Sequence, residues 1–255
     1  MGELISSIGG HGLGLALAVT LLAGFVKGAV GFAMPLIMMG AFSSFLPPEM
    51  ALAGLVLPTL TSNISQAFRQ GWRPARDTAR KYWRILAATV AFIPISAQFF
   101  WAIPQGVFLL LLGVPITAFA AAQLAGLPLA IKLQHRARAE WVSGIIGGIY
   151  GGVSGIWGPP LHVYLLSTKT SKIETLRVQG VVFLIGASVL LGVHLQSGLL
   201  DASRLTFSAL LVLPALIGQA IGFALQDRLD QSRFRRATLV LLVLTGLNLI
   251  HQALI

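Results

Sequence analysis

The hydrophobic pattern of the chain consists of long apolar segments separated by short polar links. The first apolar segment runs from about residue 11 to 45, some 34 residues, and as one straight helix it would be about 51 Å long. The hydrocarbon core of a bilayer is only about 30 Å thick. We therefore predict two short helices, about 11–23 and 33–44, hinged at 24–31.

A second broken segment is predicted over 141–167, in the other half of the chain. Further apolar stretches approach the length of about 20 residues that crosses a bilayer. They cover 50–68, 85–101 and 107–124 in the first half, and 178–196, 205–226 and 237–252 in the second. The pattern predicts an all-α polytopic membrane protein in which each half is a broken-helix hairpin followed by three transmembrane helices.

The two broken segments share a glycine motif, GFVKGAVGFAMP at 24–35 and GGVSGIWGPPLH at 151–162. An ungapped alignment at an offset of 127 (158 minus 31) pairs Gly24 with Gly151, Gly28 with Gly155 and Gly31 with Gly158. We predict one membrane domain, 1–255, made of a first repeat, 1–126, and a second, 127–255. Glycine and proline interrupt helices, and matching interrupted helices point to a transporter's binding site. The alternative is that the small residues only let helices pack closely.

The composition supports a membrane location and sets the topology. Of 255 residues, 56% are hydrophobic and 10% charged, against about 25% charged in soluble domains. The net charge of +10 lies largely in short links at 69–84, 127–140 and 227–236, which the positive-inside rule places in the cytoplasm. The two repeats then have inverted topology, with both termini outside. Nucleic acid is not an expected partner of these basic links.

Cysteine and acidic residues limit the chemistry that is expected. The chain has no cysteine, which excludes disulfides and thiolate metal sites, and neither a metal nor a cofactor is predicted. All eight acidic residues fall at a terminus, a link or a segment end. Proton coupling through a carboxylate within the membrane is therefore disfavoured.

Lys27 is the cation that the pattern places inside the membrane, within the first glycine motif. A lysine at the centre of a membrane helix costs about 2.5–3.5 kcal/mol on insertion scales, and no acidic residue lies near it in the sequence. A small anionic substrate is the natural partner, because the ends of broken helices also attract anions. The alternatives are that Lys27 snorkels to an interface or binds backbone carbonyls.

Other candidate substrate contacts surround the two motifs. Gly28, Gly31, Gly155 and Gly158 would give close backbone approach, and the polar candidates are Asn63, Gln66, His162 and Gln179, with Pro159 in the second break. Asn63 and Gln66 lie three apart, on one helix face, where hydrogen bonding between helices would explain them equally well. His162 is a donor candidate near neutral pH or a packing residue.

The motifs GFVKGAVGF, TSNISQA and GGVSGIWGPPLHVYLL together resemble the TauE/SafE family of membrane proteins. The resemblance covers nearly the whole chain. It implies a secondary carrier or facilitator of small sulfur-containing anions, such as sulfite and organosulfonates, located in the bacterial inner membrane. We expect the carrier to work by alternating access between the two repeats, because matching broken helices in inverted repeats are typical of such transporters.

Two other function classes compete with the carrier, a membrane-embedded enzyme and a non-transporting membrane subunit. His162 without an HExxH pair or a nearby acid gives little support to an enzyme, so catalytic residues are not predicted. The expected partners are the lipid bilayer and the anionic substrate, and a homodimer is left open.

Overall fold

The computed structural model describes residues 2–127, 129–130, 135–226 and 230–255, except for the side chains of 2–8 and 231. Within this part of the chain the fold is helical, with no strand. The helices are α1 Gly2–Val30, α2 Met34–Phe42, α3 Pro48–Ala67, α4 Trp72–Lys81, α5 Trp83–Ala97, α6 Gln105–Leu124, α7 Arg136–Ser154, α8 Gly158–Ser167, α9 Lys172–Gln196, α10 Ala202–Leu225 and α11 Gln231–Leu254. The all-α prediction is confirmed.

Five of the described helices are long and apolar enough to cross a membrane. These spans are Gly9–Val30, Gln105–Leu124, Lys172–Gln196, Ala202–Leu225 and Ser232–Leu254. Helix α5 is apolar but has only 15 residues, and the second half of α3 carries the polar run that begins at Thr59. The chain is a multi-pass membrane protein.

The chain folds into two compact units, each of which takes helices from both halves of the sequence. The first unit contains Met1–Pro58, Trp101–Leu127 and Gly198–Ile255, and the second contains Thr59–Phe100 and Pro128–Ser197. In the first unit α1 packs against α10, and in the second α7 packs against α5. Each broken helix therefore finds its main partner in the opposite half of the sequence.

The first break lies later in the chain than we predicted. Helix α1 continues through Gly24 and Gly28 to Val30, so the predicted short helix 11–23 and hinge 24–31 are wrong. The break is confined to 31–33, where Gly31 has φ 87° and Ala33 has φ 81°. A left-handed conformation costs a residue with a Cβ atom about 1–2 kcal/mol, so Ala33 is a strained residue that the surrounding fold holds in place.

Gly24 and Gly28 remain helical because their missing side chains allow close contact with α10. A Cβ atom on Gly24 would come closer than 3.0 Å to the carbonyl oxygen of Ala215, and one on Gly28 would do the same at Gln219. From the other side, Gly218 meets the backbone of α1 in the same way. For Gly24 and Gly28 the packing alternative is therefore the right one.

The second break shows that the register of the two motifs differs from our alignment. Helix α7 ends at Ser154 and α8 begins at Gly158, which gives an offset of 124 from α1 and α2 (154 minus 30). The helix-ending hydrogen bonds agree, since Gly31 N–H donates to Lys27 O (2.7 Å) and Gly155 N–H to Gly151 O (2.8 Å). The predicted offset of 127 is wrong by three residues.

In the corrected register the second unit repeats the glycine packing of the first. Gly148 and Gly152 of α7 now correspond to Gly24 and Gly28 of α1. A Cβ atom on Gly152 would come closer than 3.0 Å to the carbonyl oxygen of Ile93 in α5, and one on Gly148 would lie 3.2 Å from that of Thr89. The same backbone contact therefore recurs in both units.

The basic segment 69–84, predicted as a loop, contains helix α4. Ala75 and Thr78 are buried, while Trp72 is 66% exposed and the arginines on that side are also exposed. A short helix with a polar, basic face is typical of one that lies along a membrane surface. Parts of the other two basic links, 128, 131–134 and 227–229, lie outside the described residues.

We predict that Gly152→Ala destabilises the protein and Gly147→Ala does not. A Cβ atom at Gly152 collides with α5, and overpacking of this kind costs about 1–3 kcal/mol. A Cβ atom at Gly147, on the same helix, meets nothing within 4 Å, and alanine is the better helix former. Thermal unfolding of the purified variants measures the difference, and equal effects would refute the packing role of Gly152.

Candidate functional site

Lys27 lies in the last turn of α1, immediately before the first break. Its side chain is only 1% exposed, so it does not reach the surface of the protein, and the snorkelling alternative is wrong. A buried charge needs compensation by an opposite charge or by hydrogen bonds. The sequence-based alternatives that remain are an anionic ligand and backbone carbonyls.

The two breaks offer different numbers of backbone donors. The first turn of a helix exposes N–H groups and carries a partial positive charge. In the first unit Pro35 removes one such donor from α2. In the second unit Pro159 and Pro160 remove two from α8. The start of α8 therefore offers fewer amide donors than the start of α2.

His162 and Gln179 are brought together in the second unit. The Gln179 Nε2 atom lies 3.4 Å from His162 Nδ1, and the two side chains are 9% and 1% exposed. If the imidazole carries its proton on Nε2, Nδ1 accepts from the Gln179 amide. The pair joins α8, just past the second break, to α9.

Gln66 and Asn63 lie near the end of α3 and are both buried. Gln66 Nε2 donates to the carbonyl oxygen of Leu176 in α9 (2.8 Å). A Cβ atom on Gly180 would come closer than 3.0 Å to the backbone nitrogen of Ala67, so α3 and α9 cross at close range. Gln66 therefore acts in helix-to-helix bonding, as the alternative interpretation predicted.

The predicted glycines have distinct roles. Gly31 and Gly155 adopt the left-handed conformation that favours glycine, and each ends its helix. Gly158 is helical, and a Cβ atom there would meet only Phe183 at 4.0 Å, an ordinary contact. Gly28, Gly31 and Lys27 belong to the first unit, and the other predicted contacts, from Asn63 to Gln179, belong to the second.

A buried ionic cluster around Glu140 was not predicted. Glu140 is 2% exposed, its Oε2 atom lies 3.1 Å from Arg84 Nη1, and its Oε1 atom lies 3.2 Å from Arg136 Nε. The Tyr164 hydroxyl donates to Glu140 Oε1 at 2.9 Å. The cluster joins α5, α7 and α8. Glu140 lies at a segment end, as the sequence indicated. Arg136 and Glu140 are four residues apart, a spacing that allows an ion pair on one helix face, and this spacing was the signal in the sequence.

A second ion pair lies close to this cluster. Lys81 Nζ is 2.6 Å from Glu174 Oε1, to which the Tyr82 hydroxyl also donates at 3.0 Å. The hydrogen bond to Glu174 raises the pKa of Lys81 above its usual value. The rings of Tyr82 and Tyr164 meet edge to face, with centroids 6.4 Å apart. The Glu140 cluster and the pair of Lys81 and Glu174 thus join α4, α5, α7, α8 and α9.

Comparison with known proteins identifies the family. The family model described as sulfite exporter TauE/SafE matches residues 16–249. The chain belongs to the TauE/SafE family. No curated protein and no solved structure matches it significantly.

Membership of the TauE/SafE family sets the function class. The match spans nearly the whole chain and both breaks, so the resemblance seen in the sequence is confirmed. The chain is therefore a membrane transporter of anions rather than an enzyme. In the part of the chain that the structure describes, no group of three or more His, Cys, Asp or Glu side chains could hold a metal ion.

We predict that Glu140→Gln destabilises the protein by about 1–3 kcal/mol. Breaking a fully buried ion pair costs about 3–5 kcal/mol, but Arg84 and Arg136 are 36% and 54% exposed, so water screens part of the loss. The control is Asp77→Asn, because Asp77 and Arg76 form an exposed pair at 3.6 Å worth about 0–1 kcal/mol. Equal shifts in the unfolding temperature would contradict a stabilising role for the buried cluster.

Proposed function

We propose that this transporter carries sulfite or a small organosulfonate, with Lys27 as its principal electrostatic contact. The supporting observation is that Lys27 lies in a membrane span, is 1% exposed and directly precedes a helix break. A desolvated ammonium interacts strongly with an anion because few water molecules screen the two charges. The compact ammonium also suits a tight bend better than a planar guanidinium.

We further propose that transport proceeds by alternating access between two inverted repeats, 1–126 and 127–255. The support is the recurrence of one arrangement in both units, in which a helix with two glycines packs on a partner and ends at a three-residue break. Breaks at 31–33 and 155–157 can serve as hinges. The proposed location is the bacterial inner membrane, with the segment 69–84 in the cytoplasm.

The test of the proposed substrate is uptake by liposomes that contain only the purified protein. Labelled sulfite and a labelled organosulfonate should enter faster than into empty liposomes, and a control anion such as nitrate should not. Only a carrier moves substrate unaided, so uptake also excludes a subunit that merely binds a partner. Binding without uptake, or uptake of every anion at the same rate, would overturn the proposal.

The Lys27→Met variant should bind the anion about ten- to a hundredfold more weakly. A charge-assisted hydrogen bond is worth about 1.5–3 kcal/mol, and a factor of ten in affinity is about 1.4 kcal/mol. The fold should be kept, because removing a charge eases membrane insertion. Calorimetric titration with sulfite measures the affinity, and Lys172→Met, at an exposed lysine, is the control.

An unchanged affinity in Lys27→Met would remove Lys27 from the site. The second candidate contact is then the pair of His162 and Gln179, which Gln179→Leu tests by removing the amide. If Lys27→Met lowers only the unfolding temperature, the ammonium has a structural role instead.

The topology predicts which positions an impermeant thiol reagent labels in intact cells. The chain has no cysteine, so an introduced cysteine is the one thiol of the protein that the reagent can label. Gln105→Cys and Ile255→Cys should be labelled from outside, and Arg76→Cys only after the membrane is permeabilised. The reverse pattern would invert the proposed orientation.

A further inference from the structure

The corrected register shows that the two breaks distribute their side chains in opposite ways. At the offset of 124, Lys27 corresponds to Gly151 and Ala33 corresponds to Trp157. The first copy has a long side chain in the last helical turn and a small one in the break. The second copy has no side chain in the turn and a large one in the break.

The indole of Trp157 fills the space that Gly151 leaves open. A Cβ atom on Gly151 would come closer than 3.0 Å to the Nε1, Cδ1 and Cε2 atoms of Trp157. Gly151 corresponds to Lys27 in this register. The indole nitrogen therefore occupies the space in which a side chain at position 151 would begin. Both copies thus place an N–H donor beside the last turn of the first helix, an ammonium in one and an indole in the other.

The Trp157 ring is held between two helices. On the side of α9, a Cβ atom on Gly186 would lie 3.0 Å from Cε2 of the indole, and the Phe183 ring lies 6.2 Å away between centroids. The indole is 2% exposed. Packing explains why an aromatic ring is buried at position 157, but it does not explain why that ring carries an N–H group.

The Nε1–H group of Trp157 is buried and has no acceptor within the described part of the chain. An indole nitrogen can only donate, and buried donors without an acceptor are rare in native proteins. This donor is therefore available to an acceptor from outside the described part of the chain, such as a bound ligand. A phenylalanine would keep a buried aromatic ring here without this donor, although its side chain is smaller.

We propose that the Trp157 indole N–H donates a hydrogen bond to an oxygen of the transported oxyanion. This inference rests on the proposed function. An S–O oxygen of a sulfite or sulfonate group is a charged acceptor, for which a desolvated N–H is a strong donor. The indole adds directional recognition of oxygen without adding charge.

The test compares Trp157→Phe with Trp141→Phe, the latter at an exposed position on α7. Calorimetric titration with sulfite should show binding about tenfold weaker in Trp157→Phe, since one charge-assisted hydrogen bond is lost. Trp141→Phe should bind like the wild type. The unfolding temperature of ligand-free Trp157→Phe should fall modestly, because the smaller ring leaves a cavity, and this measurement reports the packing role separately from binding.

A second variant separates the hydrogen bond from packing. Incorporation of 3-benzothienylalanine at position 157 replaces the N–H by sulfur and keeps the bicyclic shape. It should weaken sulfite binding as Trp157→Phe does. Wild-type affinity in the benzothienyl variant would overturn the inference and assign Trp157 to packing. Absence of sulfite binding by the wild type would instead refute the proposed function, so the two failures are distinguishable.

Discussion

Direct contact between helix backbones, made possible by glycine, is the interaction on which both units depend. In the first unit, glycines of both α1 and α10 approach the partner's backbone, whereas in the second unit α7 supplies the glycines that approach α5. Such contacts suit a membrane, where lipid is as apolar as leucine and helix association relies on close packing. The chain stays helical through these glycine contacts, in α1 to Val30 and in α7 to Ser154, and each break is confined to three residues.

The confined breaks determine what the candidate residues can do. Because α1 stays helical through Gly28, the Lys27 side chain is directed from a regular turn and is buried within the protein. Because α7 has Gly151 at the matching position, its break can accommodate an indole. A similar helix break is thus accompanied by a cationic side chain in one unit and by a neutral indole donor in the other.

The sequence was sufficient to predict the helical class, the two broken segments and the position of Lys27 within a membrane span, because apolar length and a lone cation in an apolar run are strong signals. The register was missed because a glycine has two roles that look alike in sequence. Gly24 and Gly28 provide close packing, whereas Gly31 ends a helix. Because the glycines are equally spaced in the two motifs, our alignment paired the packing residue Gly28 with Gly155, which ends a helix. The Glu140 cluster was missed because its partners come from three helices.

Each broken helix packs against a helix from the other half of the sequence, and this pairing affects how the protein folds during synthesis. Helix α1 ends at Val30, but its partner α10 begins only at Ala202. The first unit can form only after α10 has been synthesised, and contacts so distant in sequence form slowly. During this interval the glycine face of α1 and the ammonium of Lys27 lack their final surroundings. Insertion of the first span must therefore be completed by the translocation machinery before the fold can protect it.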